Sequence, residues 1–193
     1  GMFHGCSSFN QRVIFDTREV INMAHMFHGC SVFNPCEFGT PVAFQTQKVT
    51  NMASMFEDCV AFNQDVGFDT QNVTTMFFMF SGCSSFNHPL TSFVTNNVID
   101  MGYMFEGCST FNQSLSSFNT QNVMDMRHMF DGCSSFNQLL TFDTQSVNDM
   151  ECMFCGCSSF NQPLTFDTLS VTNMKYMFCG CLVFNSILDF DTR

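Results

Sequence analysis

Apolar residues recur along this chain in a spacing that barely varies. In one stretch they fall at Val147, Met150, Met153, Phe154, Phe160, Leu164 and Phe166, with polar residues between. The first four stand at i, i+3, i+6 and i+7, which predicts one apolar face of a short helix or 3-10 segment. Asp143 and Thr144 precede it as candidate N-caps, and Gly156 follows Phe154 where a left-handed residue closes a helix. Leu164 and Phe166 alternate as a strand does.

This pattern is one unit of a tandem repeat. Met-Phe occurs at Met2, Met26, Met55, Met79, Met104, Met129, Met153 and Met177, in steps of 24, 29, 24, 25, 25, 24 and 24 residues. Three residues after each of those phenylalanines stands a cysteine, and three further on stands Phe-Asn. Periods of this length mark stacked solenoids, because one unit cannot bury its apolar residues alone and neighbours on both sides can. The expected fold is a repeat solenoid forming a single domain over residues 1–193, with eight stacked rungs of 24–29 residues, each a short parallel strand plus a short helix or 3-10 turn. Phe and Met form its core. Strands pack about 4.8 Å apart and helices about 8–10 Å, so such a rung predicts curvature. The long unit carries its excess between Asn34 and Phe44, where two Pro and a Gly read as a bulging loop. The 25-residue units add one Ser between Leu90 and Phe93 and between Leu115 and Phe118.

Composition and charge narrow the partners. The chain has 27 Phe, 16 Met, no Trp and 12% charged residues, a bias that follows from repetition. The net charge is −11, and Arg12, Arg18, Lys48, Arg127, Lys175 and Arg193 are too scattered to form a basic stripe, which argues against nucleic acid and anionic membrane. No apolar run reaches the roughly 18 residues of a membrane span, and the N-terminus has no signal-peptide pattern. Beginning at Gly1, the chain reads as processed or incomplete.

Stacking turns equivalent residues into columns. Asn10, Asn34, Asn63, Asn87, Asn112, Asn137, Asn161 and Asn185 read as an internal ladder whose amides satisfy backbone groups, with a ligand-binding row as the alternative. Thr17, Thr46, Thr70, Thr95, Thr120, Thr144, Thr168 and Thr192 read as capping or turn-forming hydroxyls, against a row that orders water or carries glycans. Cys6, Cys30, Cys59, Cys83, Cys108, Cys133, Cys157 and Cys181 read as buried thiols, since strand spacing is too wide for an unstrained disulfide between rungs. Cys155 and Cys179 share a second column and form a candidate disulfide in an oxidising setting. Cys36 stands alone in the insert. A metal site from Cys152, Cys155, Cys179 and His128 matches no zinc spacing motif, so the sequence assigns no metal or cofactor. Asp100, Asp125 and Asp149, and likewise Asp143, Asp167 and Asp191, line up as solvated caps or as carboxylates shared with a cation such as calcium. His4, His25, His28 and His128 flank Met-Phe as surface positions. Asn72-Val73-Thr74 and Asn112-Gln113-Ser114 are glycosylation sequons, and with Asn112 in the inner ladder Asn72 is the candidate acceptor. No Ser-His-Asp, paired-acid or phosphate-loop pattern occurs, so no catalytic residue is assigned.

The unit from Asn72 to Leu90, repeated from Asn122 to Leu140, resembles the BspA-like leucine-rich-repeat surface proteins, including the mycoplasma-type lipoprotein repeat of unknown function. The resemblance spans essentially the whole chain. It implies a leucine-rich-repeat-like solenoid on a cell or particle surface, with adhesion or interaction roles and no catalytic residues to transfer. Phe here replaces the Trp that many members carry before Asp-Thr.

Neither end shows the polar cap of a soluble solenoid, so the chain is expected to be longer or to stack head to tail as a filament. The expected function is a non-enzymatic extracellular or surface structural protein, a fibre or coat component. The alternative is an adhesin that recognises protein or glycan. Partners are further copies or neighbouring repeats, or a protein or glycan ligand, at an extracellular, cell-surface or virion-surface location.

Overall fold

The structure, a computed structural model, describes residues 1–35 and 44–190. The insert loop with Cys36, and Asp191 and Thr192 of the aligned columns, lie outside them. Successive repeats lie side by side in register, but the expected rung of strand plus helix does not form. Among the described residues there is no helix, and parallel pairing is confined to isolated bridges. One column of bridges runs through Asn22, Asn51, Thr75, Asp100, Asp125, Asp149 and Asn173, and a separate bridge joins Leu164 to Leu188. The strand-plus-helix, leucine-rich-repeat-like solenoid is therefore overturned.

The direction of the backbone amides explains why. Met126, His128, Phe130 and Gly132 donate across to the carbonyls of Asp149, Glu151, Met153 and Cys155 at 3.0, 2.7, 2.9 and 2.7 Å. The amides between them, of Met129, Asp131 and Cys133, return to Met126, His128 and Phe130 within the same rung at 3.2, 3.1 and 3.0 Å. A helix needs every amide for its own i−4 carbonyl. Here alternate amides are committed to the next rung. The backbone also enters the left-handed region twice per turn, at His128 (φ 52°) and Gly132 (φ 73°), which no right-handed helix accommodates. The apolar spacing of three thus reflects consecutive tight turns, a period that sequence pattern cannot separate from a short 3-10 helix.

Close stacking fixes the glycine of the Met-Phe-x-Gly-Cys segment. A Cβ on Gly156 would lie 3.3 Å from both Cα and N of Gly132, backbone atoms that cannot swing aside. Asp58 stands in this column with φ 58°.

The core is a set of aromatic columns. Phe27, Phe56, Phe80, Phe105, Phe130, Phe154 and Phe178 follow Phe3 with ring centroids 5.4–5.9 Å apart and nearly parallel planes. A second column runs from Phe9 through Phe33, Phe62, Phe86, Phe111, Phe136 and Phe160 to Phe184. Within a rung the two columns touch, as Phe105 and Phe111 do at 4.3 Å. Met101, Met104, Met126 and Met129 fill the space beside them with no exposure. Each fully buried Phe contributes about 1.5–3 kcal/mol of transfer free energy, and only neighbouring rungs supply the cover.

Polar columns join the same rungs. Each asparagine Oδ1 accepts the backbone N–H of the next asparagine, from Asn34 on Asn10 to Asn185 on Asn161, at 2.7–3.0 Å. This ladder is not internal: its members are half-buried or exposed. The threonines are interior instead. Thr95 Oγ1 donates to the Asn119 carbonyl at 2.8 Å and accepts the Asn119 N–H at 2.8 Å, while the Thr95 carbonyl opens a turn closed by the Val98 N–H. Thr46, Thr70, Thr120 and Thr144 make the same donation to the following rung.

The cysteine thiols donate to phenylalanine carbonyls of the preceding rung, as Cys108 does to Phe80 at 3.0 Å and Cys133 to Phe105 at 2.9 Å. All described cysteines are free, Cys30 to Cys157 of this column are buried, Cys6 is exposed and Cys181 is half-buried. Burial raises the buried thiols well above the ordinary range, which keeps them protonated and unreactive.

Candidate functional site

Positions that recur in every repeat are occupied in holding rungs together, so recognition chemistry is left to positions that vary. Two such positions belong to the segment Met-x-x-Met-Phe-x-Gly: the residue before the second Met and the residue after Phe. The fold sets them side by side along one edge. The first column, with His25, Ser54, Phe78, Tyr103, His128, Cys152 and Tyr176, adopts left-handed φ values of 52–58° throughout. Such φ values cost non-glycine residues about 1–2 kcal/mol each. From His25 to Cys152 these same residues each donate a rung-to-rung hydrogen bond, such as Tyr103 N–H to the Arg127 carbonyl at 2.9 Å. The second column holds His4, His28, Glu57, Ser81, Glu106, Asp131, Cys155 and Cys179.

Distinct chemistry gathers at three places on this edge. Near the start, His25 and His28 bring their Nδ1 atoms to 3.5 Å, His28 Nδ1 lies 3.3 Å from Glu57 Oε2, and the His4 ring stacks on His28 at 4.4 Å. Burial first, then the neighbouring His28, lowers the His25 pKa. In the middle, Phe78 stacks on Tyr103 at 4.3 Å and Tyr103 on His128 at 4.5 Å, with Phe77 edge-on to Phe78 and the Arg127 guanidinium 5.8 Å from the Phe77 ring. Beyond it, His128 Nδ1 lies 2.9 Å from Asp131 Oδ2, with the Cys152 thiol within 4.8 Å of both. Burial and then the Asp131 carboxylate raise both thiols, Cys155 to about 12. Cys155 and Cys179, the candidate disulfide pair, are free thiols.

The structure therefore brings His128 and Cys152 together as their column spacing implies and adds Asp131 to them, while at the other end of the edge it sets Glu57 beside His25 and His28. These two acids escaped the sequence reading. Their signal was present as the variable residue between Phe and Gly, aligned across repeats.

The aligned aspartates have a local task. Oδ1 of Asp100, Asp125 and Asp149 accepts the N–H two residues on, from Gly102, Arg127 and Glu151, at 3.0, 3.0 and 2.8 Å. Asn22, Asn51 and Asn173 do the same in their rungs. Asp143 and Asp167 cap Gln145 and Leu169. Burial first, and then the Asp125 carboxylate, raise the Asp100 pKa. Since the folded-state value lies above that of the unfolded chain, ionising Asp100 opposes folding. That penalty is absent at acid pH and develops as pH rises through the folded-state value. Asp100→Asn keeps the cap and should stabilise the chain at pH 7 by about 0.2–1 kcal/mol, the worth of relieving one facing like-charge pair. Melting curves over a pH series should show the advantage shrinking as the pH falls and Asp100 protonates in the wild type.

Of the two sequons, Asn72 is exposed with its Nδ2 donating to the Gln47 carbonyl at 2.7 Å. Asn112 is exposed as well, not inside the stack, and its Oδ1 accepts from Asn137 N–H and Gln138 Nε2, both at 3.0 Å.

Stacked, turn-built repeats with invariant inner columns and a variable edge define a tandem-repeat protein. The chain matches the family described as Mycoplasma protein of unknown function, DUF285, over residues 1–67, 36–142 and 137–193, and it belongs to that family. No curated protein matches it. Among the described residues no helix is long and apolar enough to cross a membrane.

Proposed function

We propose that this chain is a non-enzymatic structural repeat protein of an extracellular, cell or virion surface, a fibre or coat component that associates through its end rungs. The observation that carries this reading is the use of side chains. Those recurring through the described repeats serve a neighbouring rung, through stacked Phe, Asn amides, Thr hydroxyls and Cys thiols, which is the economy of a scaffold. The BspA-like resemblance supports a surface location.

An adhesin that grips protein or glycan is the second reading. It is favoured by the half-buried cluster of Phe77, Phe78, Tyr103 and Arg127, whose rings and guanidinium suit recognition.

Electron microscopy of the purified chain, with antibody labelling of intact source cells or particles, tests the proposal. Fibres with an axial repeat near eight rungs, about 40 Å at strand spacing, together with surface label, are expected. Single short rods at every concentration overturn the fibre role and leave the adhesin reading. Label only after permeabilisation overturns the surface location.

A further inference from the structure

We propose that His128, Asp131, Cys152 and Cys155 form a binding site for a divalent transition-metal ion, with Zn²⁺ as the ion that fits best. His128, Asp131 and Cys152 each offer one ligand atom, and these atoms lie within 4.8 Å of one another. Cys155 stands three residues after Cys152, as Asp131 stands three after His128. Two adjacent rungs thus present two pairs of donors at equivalent positions of the same two columns.

The donor set selects the ion. One imidazole nitrogen, one carboxylate oxygen and two sulfurs suit a borderline ion in tetrahedral coordination, whereas calcium requires six to eight oxygens. Bonds of about 2.0–2.3 Å place tetrahedral ligand atoms roughly 3.3–3.8 Å apart. The three donor atoms of His128, Asp131 and Cys152, all within 4.8 Å of one another, stand at most about an ångström outside that spacing. The backbone of the cluster is already fixed, since His128 N–H binds the Glu151 carbonyl at 2.7 Å and Cys152 N–H the Lys175 carbonyl at 2.9 Å. The His128 ring is held by its stack on Tyr103. Cys152 is 8% exposed. On binding, each thiol releases its proton to solvent and the ion takes the thiolate, with no change of oxidation state.

His25, His28 and Glu57 gather in the same two columns at the other end, also within 4.8 Å, but without sulfur. That difference supplies a specific readout. The proposal is independent of the fibre or adhesin roles, because it concerns local coordination alone.

Titration of the reduced chain with Co²⁺, followed by displacement with Zn²⁺, tests it by absorption. The expected result is one Co²⁺ per chain with a thiolate-to-cobalt charge-transfer band and the visible spectrum of tetrahedral cobalt, both erased by Zn²⁺. Cys152→Ser should weaken binding by ~100-fold or more, beyond the 10–100-fold typical of outer-shell partners. Asp131→Asn, a near-isosteric change at a half-buried position, should weaken it by at least ~10-fold, which keeps the test valid if the serine variant folds poorly. His28→Gln and Cys6→Ser should leave the band unchanged. A titration without a charge-transfer band, or a band that survives in the Cys152→Ser/Cys155→Ser double variant, overturns the site.

Discussion

Phe105→Ala should destabilise the chain by about 3–5 kcal/mol, the range for emptying a buried aromatic site. Phe105 has no exposed surface and stacks on Phe80 at 5.9 Å, Phe130 at 5.7 Å and Phe111 at 4.3 Å. Loss of its ring removes dispersion contacts from three neighbours at once. The rigid spacing of the rungs limits collapse of the cavity, because alternate backbone amides around Phe105, including its own, are bonded to the next rung. Stability in stacked repeats is roughly a sum of nearest-neighbour terms, so a defect in the middle divides the stack. Denaturant unfolding monitored by circular dichroism should show a transition at markedly lower denaturant, or two transitions where the wild type has one. Phe178→Ala, in a half-buried position of the same column, should have a clearly smaller effect. Equal effects at Phe105 and Phe178 would show that the columns do not carry the stability assigned to them.

Thr95→Val should cost about 1–3 kcal/mol although it preserves shape and raises hydrophobicity. Thr95 is 1% exposed, and its hydroxyl both donates to and accepts from the backbone of Asn119. Valine leaves that amide and carbonyl facing a methyl group. An unpaired backbone group away from water incurs most of its desolvation penalty. Thr95→Ser keeps the hydroxyl and should retain most of the stability, which separates hydrogen bonding from packing. If valine proved neutral, the threonine column would be a packing element and its inter-rung bonds incidental.

The repeat was readable because its register is strict. Steps of 24, 25 and 29 residues return as the separations of bonded partners: Asn10 to Asn34, Asn87 to Asn112 and Asn34 to Asn63. The single added residue in the 25-residue units also has a clear destination, a turn closed from Leu90 to Phe93 and from Leu115 to Phe118. Assignment of the core to Phe and Met followed from the same repetition.

Other features were hidden. The Asn and Thr columns are equally complete in sequence, yet threonine lies inside and asparagine at the surface, because burial depends on which way the coiled backbone turns at each position. The cluster at His128, Asp131, Cys152 and Cys155 was half legible. Column spacing paired the cysteines with His128, but Asp131 became a neighbour only once the left-handed residues fixed how the two variable columns lie together.

The sequence by itself determined the number of rungs, their register and the Phe and Met that form the core, since each follows from a period that admits one alignment. Tertiary structure decided what a rung is. An apolar spacing of three serves a short helix and a chain of tight turns equally well. The choice falls to the backbone amides, and with a neighbouring rung within hydrogen-bond reach, alternate amides bind across the stack and no helix can form.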